Sequence, residues 1–196
     1  MKTLASLCLL LLLGGCAATA TPPTHYYTLN DADHAGPRLL AEQTLAVIGI
    51  APVGVADYID NEGLALLTAS HQLHLARQHR WAEPPSQAIG RALQIDLGEQ
   101  LPVFRIDNSR DGTLDGWDYR LRLRVDQFHG TANGEAVLAG NWRLEDPTDN
   151  RVLSSQRFRL SQPLTERGYP ALVIQLRALL RQLAGQLAAE ISQQAR

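Results

Sequence analysis

The chain has 196 residues, of which 45% are hydrophobic and 19% charged, with 18 basic residues against 20 acidic ones and a formal net charge of −2. This length suits one domain with a hydrophobic core, and the near-neutral balance argues against a nucleic-acid binder, which needs a basic surface to neutralise phosphates. The chain has a single lysine, Lys2, which excludes a Walker-type phosphate loop or a Schiff-base lysine in the folded body. Its two cysteines, Cys8 and Cys16, both lie near the start, which excludes a disulfide scaffold or a four-cysteine zinc site.

Residues 1–15 have the pattern of a signal peptide. Lys2 supplies a positive charge, and Leu4 to Leu13 form an apolar run that is too short to span a bilayer, which needs about 20 such residues. Leu13-Gly14-Gly15-Cys16 resembles the lipobox of bacterial lipoproteins, in which the cysteine is acylated after the signal is removed. In such lipoproteins, an aspartate directly after the cysteine favours retention in the inner membrane, and this chain has Ala17 at that position. The resemblance therefore implies that the lipid on Cys16 anchors the protein in the outer membrane, on its periplasmic face. The alternative is an ordinary secretory signal with a chance cysteine.

A tether and a run of short strands are expected next. Cys16 to Thr24 has the small, proline-containing composition of an extended tether, which leaves residues 25–196 as the single folded domain. Four segments that are apolar, β-branched or alternating predict strands: Tyr26–Leu29, Leu45–Val55 (buried, and ending near Pro52), Leu64–Thr68 and Gln72–Arg77.

The rest of the chain predicts two helices around an antiparallel meander. Prolines at 84 and 85 open a helix over 84–100, and a longer helix is expected over 169–192, because apolar residues recur on one stripe of each. Val103–Ile106 predicts a short strand, and Tyr119–Val125, Gly134–Glu145 and Arg151–Gln162 predict three consecutive antiparallel strands. The expected fold is therefore a two-layer α+β domain, with a mostly antiparallel sheet and two amphipathic helices packed on one face.

Four segments in this order resemble the ABC-type transport auxiliary lipoproteins, the family that includes the lipoprotein of the paraquat-inducible (Pqi) operon. They are Tyr26-Tyr27-Thr28-Leu29 after the lipobox, Asp57-Tyr58-Ile59-Asp60 after a strand, Arg80-Trp81-Ala82-Glu83-Pro84 before the first helix, and the hairpin from Phe128 to Leu138-Ala139-Gly140-Asn141-Trp142. The helix start at Gly168-Tyr169 also fits, and Ile59 departs conservatively from the more usual leucine.

The resemblance implies a binding module and not an enzyme. Such lipoproteins work beside an ABC transporter and a protein with mammalian-cell-entry (MCE) domains, in lipid traffic across the periplasm and in maintaining the envelope. The implied partner is an MCE-domain protein, the only cofactor is the covalent lipid on Cys16, and a homo-oligomer is left open. Two alternatives remain: a periplasmic carrier that holds acyl chains between sheet and helices, and a cryptic envelope hydrolase, although no G-x-S-x-G motif is present.

A basic sheet face and one tryptophan are the candidate partner interface. Alternation places one set of arginines on the same side of the meander, where guanidinium groups can bind lipid phosphates or an acidic partner: Arg120, Arg122, Arg124, Arg143, Arg157 and Arg159. The alternative is a solvated face whose arginines pair with neighbouring acids: Asp118, Asp126, Glu135 and Glu145. Trp81 is either an interface anchor or a core residue at the step into the first helix, whereas the alternation assigns Trp142 to the core.

Two metal-site patterns are also present, and neither is expected to bind metal. The spacing of one loop approaches that of an EF-hand calcium loop, with candidate ligands at Asp107, Ser109, Asp111, Thr113, Asp115 and Asp118. The twelfth position is an aspartate in place of glutamate and the flanks are strands, so turn chemistry is the simpler explanation. His71 and His74 would point to opposite faces of a strand, and with His79 they are expected to be ordinary surface histidines.

Overall fold

The computed structural model describes residues 22–30, 44–109 and 116–194, and these ranges contain nine strands and two helices. In chain order they are β1 (His25–Tyr27), β2 (Ala46–Ile50), β3 (Gly54–Val55), β4 (Gly63–Ala69), β5 (Gln72–Trp81), α1 (Pro85–Gln100), β6 (Phe104–Asn108), β7 (Tyr119–Thr131), β8 (Glu135–Glu145), β9 (Val152–Pro163) and α2 (Tyr169–Gln194). The signal peptide, Cys16 and the tether up to residue 21 lie outside the described ranges. Neither helix in these ranges combines the length and apolar character needed to cross a membrane.

The strands β7, β8 and β9 form the predicted antiparallel meander. Leu123 pairs with Trp142 and Trp142 with Gln156, so that one register runs across all three strands. The register shifts between Val125 and Gln127, where Asp126 forms a bulge. A bulge adds one residue to one strand, so side chains after it change faces relative to a simple alternation. Phe128 therefore joins the core, 2% exposed.

The other edge of β7 carries three short strands laid end to end. β2 pairs with its beginning, β3 with its middle and β4 with its end, all in the parallel direction. The break between β2 and β3 contains Pro52, which has no N–H to donate to a strand ladder. β6 pairs with β2, β5 with β4, and β1 with β5, so the sheet is mixed, with its longest pairings antiparallel.

Both helices pack on one face of this sheet, as predicted. α1 contacts β6 and α2, and α2 crosses β8, β9 and the end of β7. The layer between them is filled by leucines that are fully buried, among them Leu93, Leu121, Leu144 and Leu179, each 0% exposed. Burying such side chains contributes roughly 1.5–3 kcal/mol each. The predicted α+β, two-layer architecture is confirmed.

Several element boundaries differ from those expected. The predicted strand over 45–55 is divided into β2 and β3 because of the break around Pro52, and β1 ends at Tyr27. Strand β5 continues to Trp81 because β1 pairs along its last three residues. Strand β7 continues to Thr131, beyond the predicted end at Val125. The bulge at Asp126 shifts the register by one residue, and β7 then stays paired with β8 from Gln127 onwards.

Candidate functional site

The outer face of the meander, opposite the helices, carries the six predicted arginines. The cross-strand register places Arg122 beside Arg143, and Arg124 beside Asn141, which in turn faces Arg157. Their neighbours in sequence, such as Leu121 and Phe158, point into the core. We call this surface, defined by Arg120, Arg122, Arg124, Arg143, Arg157 and Arg159, the arginine face.

Half of the arginine face is paired within the sheet. Glu145, whose side chain is 7% exposed, accepts a bond from Arg122 Nε at 2.7 Å and lies 3.8 Å from Arg120. Arg124 pairs with Asp126 at 3.0 Å. The exposed Arg124–Asp126 pair contributes little to stability, typically about 0–1 kcal/mol, but together these contacts satisfy three of the guanidinium groups.

The remaining arginines have no carboxylate partner among the residues that the structure describes. Arg159 donates to the amide oxygen of Gln127, whereas Arg143 and Arg157 have no described side-chain partner. Both lie at the rim of shallow depressions of about 410 and 430 Å³ that share Asn141. Planar guanidinium groups with free donors bind carboxylates or phosphates in two-pronged fashion. This end of the arginine face is therefore the part equipped to bind an anionic group.

Trp81 lies in the core. Its side chain is 6% exposed and stacks on Phe128, with ring centroids 5.8 Å apart. Trp142 is 2% exposed, in agreement with its predicted core position. Any contact that Trp81 makes with a partner would involve the edge of its ring, because the rest is used in packing.

A depression of about 330 Å³ at the β1–β5 edge brings together segments that are distant in sequence. Its walls include Tyr26, Asp60, the Arg80–Glu62 ion pair and Pro84. These residues come from, or directly follow, three of the four segments that carry the family resemblance. Its charged groups pair with one another or with α1, where Asp60 accepts a bond from the Ser86 amide at 3.3 Å and Glu83 pairs with the Arg91 side chain. The geometry points to a structural role in holding the start of α1.

The calcium-like loop is only partly described. Asp111, Thr113 and Asp115 lie outside the described residues. Asp107 pairs with Arg105 at 3.1 Å, and Asp118 accepts a bond from the Val47 amide at 2.8 Å, so both carboxylates already have partners. Within 22–30, 44–109 and 116–194 no three acidic, histidine or cysteine side chains are grouped to hold a metal.

The three histidines lie in different environments. His71 is not on a strand, as the sequence argument assumed, but in the β4–β5 turn with φ of 67°. His79 accepts or donates a 2.8 Å bond with the Tyr27 hydroxyl and stacks between His25 and Tyr169. Burial, and then the neighbouring His25, lower the pKa of His79, so its ring is neutral at pH 7.

Sequence reasoning missed a buried histidine beside the arginine face. His129 is 4% exposed, donates a bond from Nδ1 to the Gly130 carbonyl at 2.9 Å, and lies under Tyr58. Burial lowers its pKa and nearby Arg159 lowers it further, against the opposing effect of the Gly130 carbonyl. Simple alternation assigns His129 to the wrong face, because the bulge at Asp126 is visible only in the pairing of β7 with β8.

Comparisons with known proteins agree with this architecture. A family model described as "ABC-type transport auxiliary lipoprotein component" matches residues 27–188. The intermembrane transport lipoprotein PqiC of Escherichia coli (strain K12) is 27% identical over 179 residues, covering 91% of each chain. The solved structure of an uncharacterized protein superimposes with a TM-score of 0.73 at 24% identity, covering 87% of this chain and 99% of the other. A protein of Xanthomonas campestris gives 0.70 at 18% identity, covering 84% and 93%. These two structures share the fold.

Proposed function

The chain belongs to the ABC-type transport auxiliary lipoprotein family, and on that premise we propose that it docks a partner protein with MCE domains at the outer membrane. In broad terms it is an intermembrane transport lipoprotein of the cell envelope. The narrower role, that of an accessory subunit receiving the partner of an ABC lipid transport system, is the proposal. It acts by binding, and it needs no cofactor beyond the lipid on Cys16.

The anchor follows from the first residues of the chain. Acylation of Cys16 after removal of residues 1–15 attaches the protein to the inner leaflet of the outer membrane. The first strand begins at His25, nine positions after Cys16. Nine residues reach at most about 3.5 Å each, so the β1 edge of the sheet stays within roughly 30 Å of the bilayer. This distance keeps the domain where a partner spanning the periplasm arrives.

The observation that carries the docking role is the unpaired end of the arginine face. Arg143 and Arg157 are exposed and have no side-chain partner among the described residues, although acids are available elsewhere on the meander. Interfacial arginines of this kind guide association and bind carboxylates of a partner. We therefore assign an acidic segment of the MCE-domain protein to this surface.

Charge reversal at this surface tests the proposal. The double variant Arg143→Glu/Arg157→Glu, which breaks no described ion pair, is compared with Arg77→Glu/Arg105→Glu, which makes the same change of net charge away from the arginine face. We expect affinity capture of the lipoprotein from mild detergent extracts to recover about tenfold less MCE-domain protein with the first variant, since two exposed charged contacts of about 0.7 kcal/mol each add up to about 1.4 kcal/mol.

The outcomes separate the two parts of the proposal. Equal capture with both double variants would show that the partner docks elsewhere. Absence of any MCE-domain protein from the wild-type capture would refute the partner itself. Turnover of generic ester substrates by the wild-type protein would instead support the hydrolase alternative.

A further inference from the structure

A cavity opens at the end of the domain where α2 begins. It has a volume of about 530 Å³ and lies between the β7–β8 turn, β4 and the first turn of α2. Its apolar walls are Leu66, Leu164, Tyr169 and Leu172. We call it the α2 cavity. Its size falls within the roughly 300–1,000 Å³ of small-molecule sites.

A glycine shapes the base of this cavity. A Cβ at Gly130 would lie 2.9 Å from Leu66 Cδ1 and 3.1 Å from Leu172 Cδ2, so both leucine side chains use the space that its missing side chain leaves. The packed layer between sheet and helices closes beneath them, with Leu176 only 1% exposed. An apolar ligand can therefore occupy the end of this layer but not its interior.

The rim of the α2 cavity favours negative charge. Arg167 is exposed there and has no side-chain partner in the described part of the chain. The first turn of α2 contains no acidic residue. A helix N-terminus and a guanidinium group both attract anions. The cavity therefore combines apolar walls with one cationic group, Arg167, at its rim. This combination fits an amphiphile that carries an anionic headgroup.

The α2 cavity lies on the side of the domain that the tether reaches. His25, the first residue of β1, stacks on His79 at 5.2 Å, and His79 stacks on the cavity residue Tyr169 at 4.2 Å. The tether from Cys16 ends at His25, so acylation of Cys16 would hold the cavity near the bilayer surface. This step rests on the anchor assigned under the proposed function.

We propose that the α2 cavity binds one acyl chain of an anionic membrane phospholipid, with the headgroup at Arg167 and the start of α2. The acyl chain lies against the side chains of Leu66, Leu164 and Leu172. The cavity thereby gives the docking subunit its own lipid site, on a different surface from the arginine face.

Photocrosslinking tests this site directly. The lipidated full-length mature protein is mixed with phosphatidylethanolamine vesicles containing phosphatidylglycerol that bears a photoreactive acyl chain, and labelled peptides are identified by mass spectrometry. We expect labelling within residues 131–134 and 164–172. Ala132→Trp, at an exposed position on the rim, fills the mouth and reduces labelling about tenfold, a loss equivalent to about 1.4 kcal/mol. Ser70→Trp, in the exposed β4–β5 turn, is the matched control and leaves labelling unchanged.

A second variant tests the contact between the headgroup and Arg167. Arg167→Glu should reduce labelling by the anionic probe about threefold, as expected for an exposed charge contact. The same photoreactive chain on a phosphatidylethanolamine probe should not respond to Arg167→Glu. Arg77→Glu, at an exposed position of β5 outside both proposed sites, controls for net charge.

Labelling outside the α2 cavity, or equal labelling of wild type and Ala132→Trp, would overturn the site. Thermal unfolding of each variant confirms that it is folded. Capture of the MCE-domain protein is measured on the same variants and should be unchanged by Ala132→Trp. Absence of cavity labelling in the wild-type protein with intact partner capture would refute this site alone. Labelling of the cavity together with undiminished partner capture by Arg143→Glu/Arg157→Glu would refute the docking surface alone.

Discussion

At the scale of single residues, the packing of Trp117 on Gly49 leaves no room for even a methyl group. Gly49 lies in β2 between Ile48 and Ile50, both fully buried against the helices. Because side chains alternate along a strand, its own Cβ would point to the opposite face. Trp117 occupies that place, 7% exposed, and a Cβ at Gly49 would overlap its indole ring.

Gly49→Ala should therefore destabilise the domain, whereas Gly98→Ala should not. Overpacking of this kind costs about 1–3 kcal/mol, because Trp117 must leave its position. Gly98 in α1 has no atom within 4 Å of its missing Cβ, and alanine in place of glycine inside a helix stabilises it by about 0.5–1 kcal/mol. Urea unfolding of both variants measures the two effects. A Gly49→Ala protein as stable as wild type would show that Trp117 is not packed there.

At the scale of elements, one buried ion pair joins the two helices. Arg177 of α2 donates two hydrogen bonds of 2.6 Å to the carboxylate of Asp96 in α1, and both side chains are at most 6% exposed. This buried pair fixes the position of one helix along the other. A shift of either helix would separate the two charges, and a site this buried leaves no access for water to replace the lost hydrogen bonds.

Removing one partner of this pair should lower the free energy of unfolding strongly, and removing both should lower it only slightly. Arg177→Met leaves the Asp96 carboxylate buried and is expected to lower the free energy of unfolding by about 3–5 kcal/mol. The double variant Asp96→Leu/Arg177→Met should recover most of that loss, because no buried charge remains. Arg105→Gln, which removes an exposed pair with Asp107, should cost less than about 1 kcal/mol. Denaturant unfolding distinguishes these cases, and a double variant no better than the single one would contradict the explanation.

At the scale of the whole molecule, the proposed anchor and the arginine face lie at opposite parts of the sheet. The tether leads to β1, an edge strand, and the sheet then continues through β5, β4 and β7 to the meander that ends at β9. The arginine face therefore lies several strands away from the point of membrane attachment. This arrangement suits a subunit that is held at the membrane on one side and binds its partner on the other.

Strand β1 should matter for stability although the tether before it should not. Leu29 is 1% exposed, and Tyr27 bonds to His79, whereas Pro22 to Thr24 are exposed. A chain beginning at residue 22 should unfold at the same temperature as the mature protein. A chain beginning at residue 31 loses Leu29 and the β1 pairing, and burial of one leucine alone is worth about 1.5–3 kcal/mol. We expect its midpoint to fall by at least about 5 °C in calorimetry. Equal midpoints for the two truncated chains would contradict this role of β1.

The outer arginines show how much of the candidate site the sequence could predict. Alternation with period two, from Tyr119 to Val125, assigned Arg120, Arg122 and Arg124 to one side without any knowledge of the fold. The same rule failed after Asp126, because a single bulged residue exchanges the two faces and leaves no mark in the composition. Trp81 could not be assigned either, since its burial depends on Phe128, which is 47 positions away.

By itself, the sequence determined the two amphipathic helices and the basic side of the meander, because these depend on local periodicity. The order of its motifs carried the resemblance to the family, which also implies the anchor at Cys16. Only the tertiary structure decided which arginines are neutralised, which helices share a buried ion pair and where a cavity remains. Glu145 pairs with Arg122 while Arg143 stays free, and that difference arises from the register between strands. Register is set by packing over long sequence separations, so no local pattern encodes it.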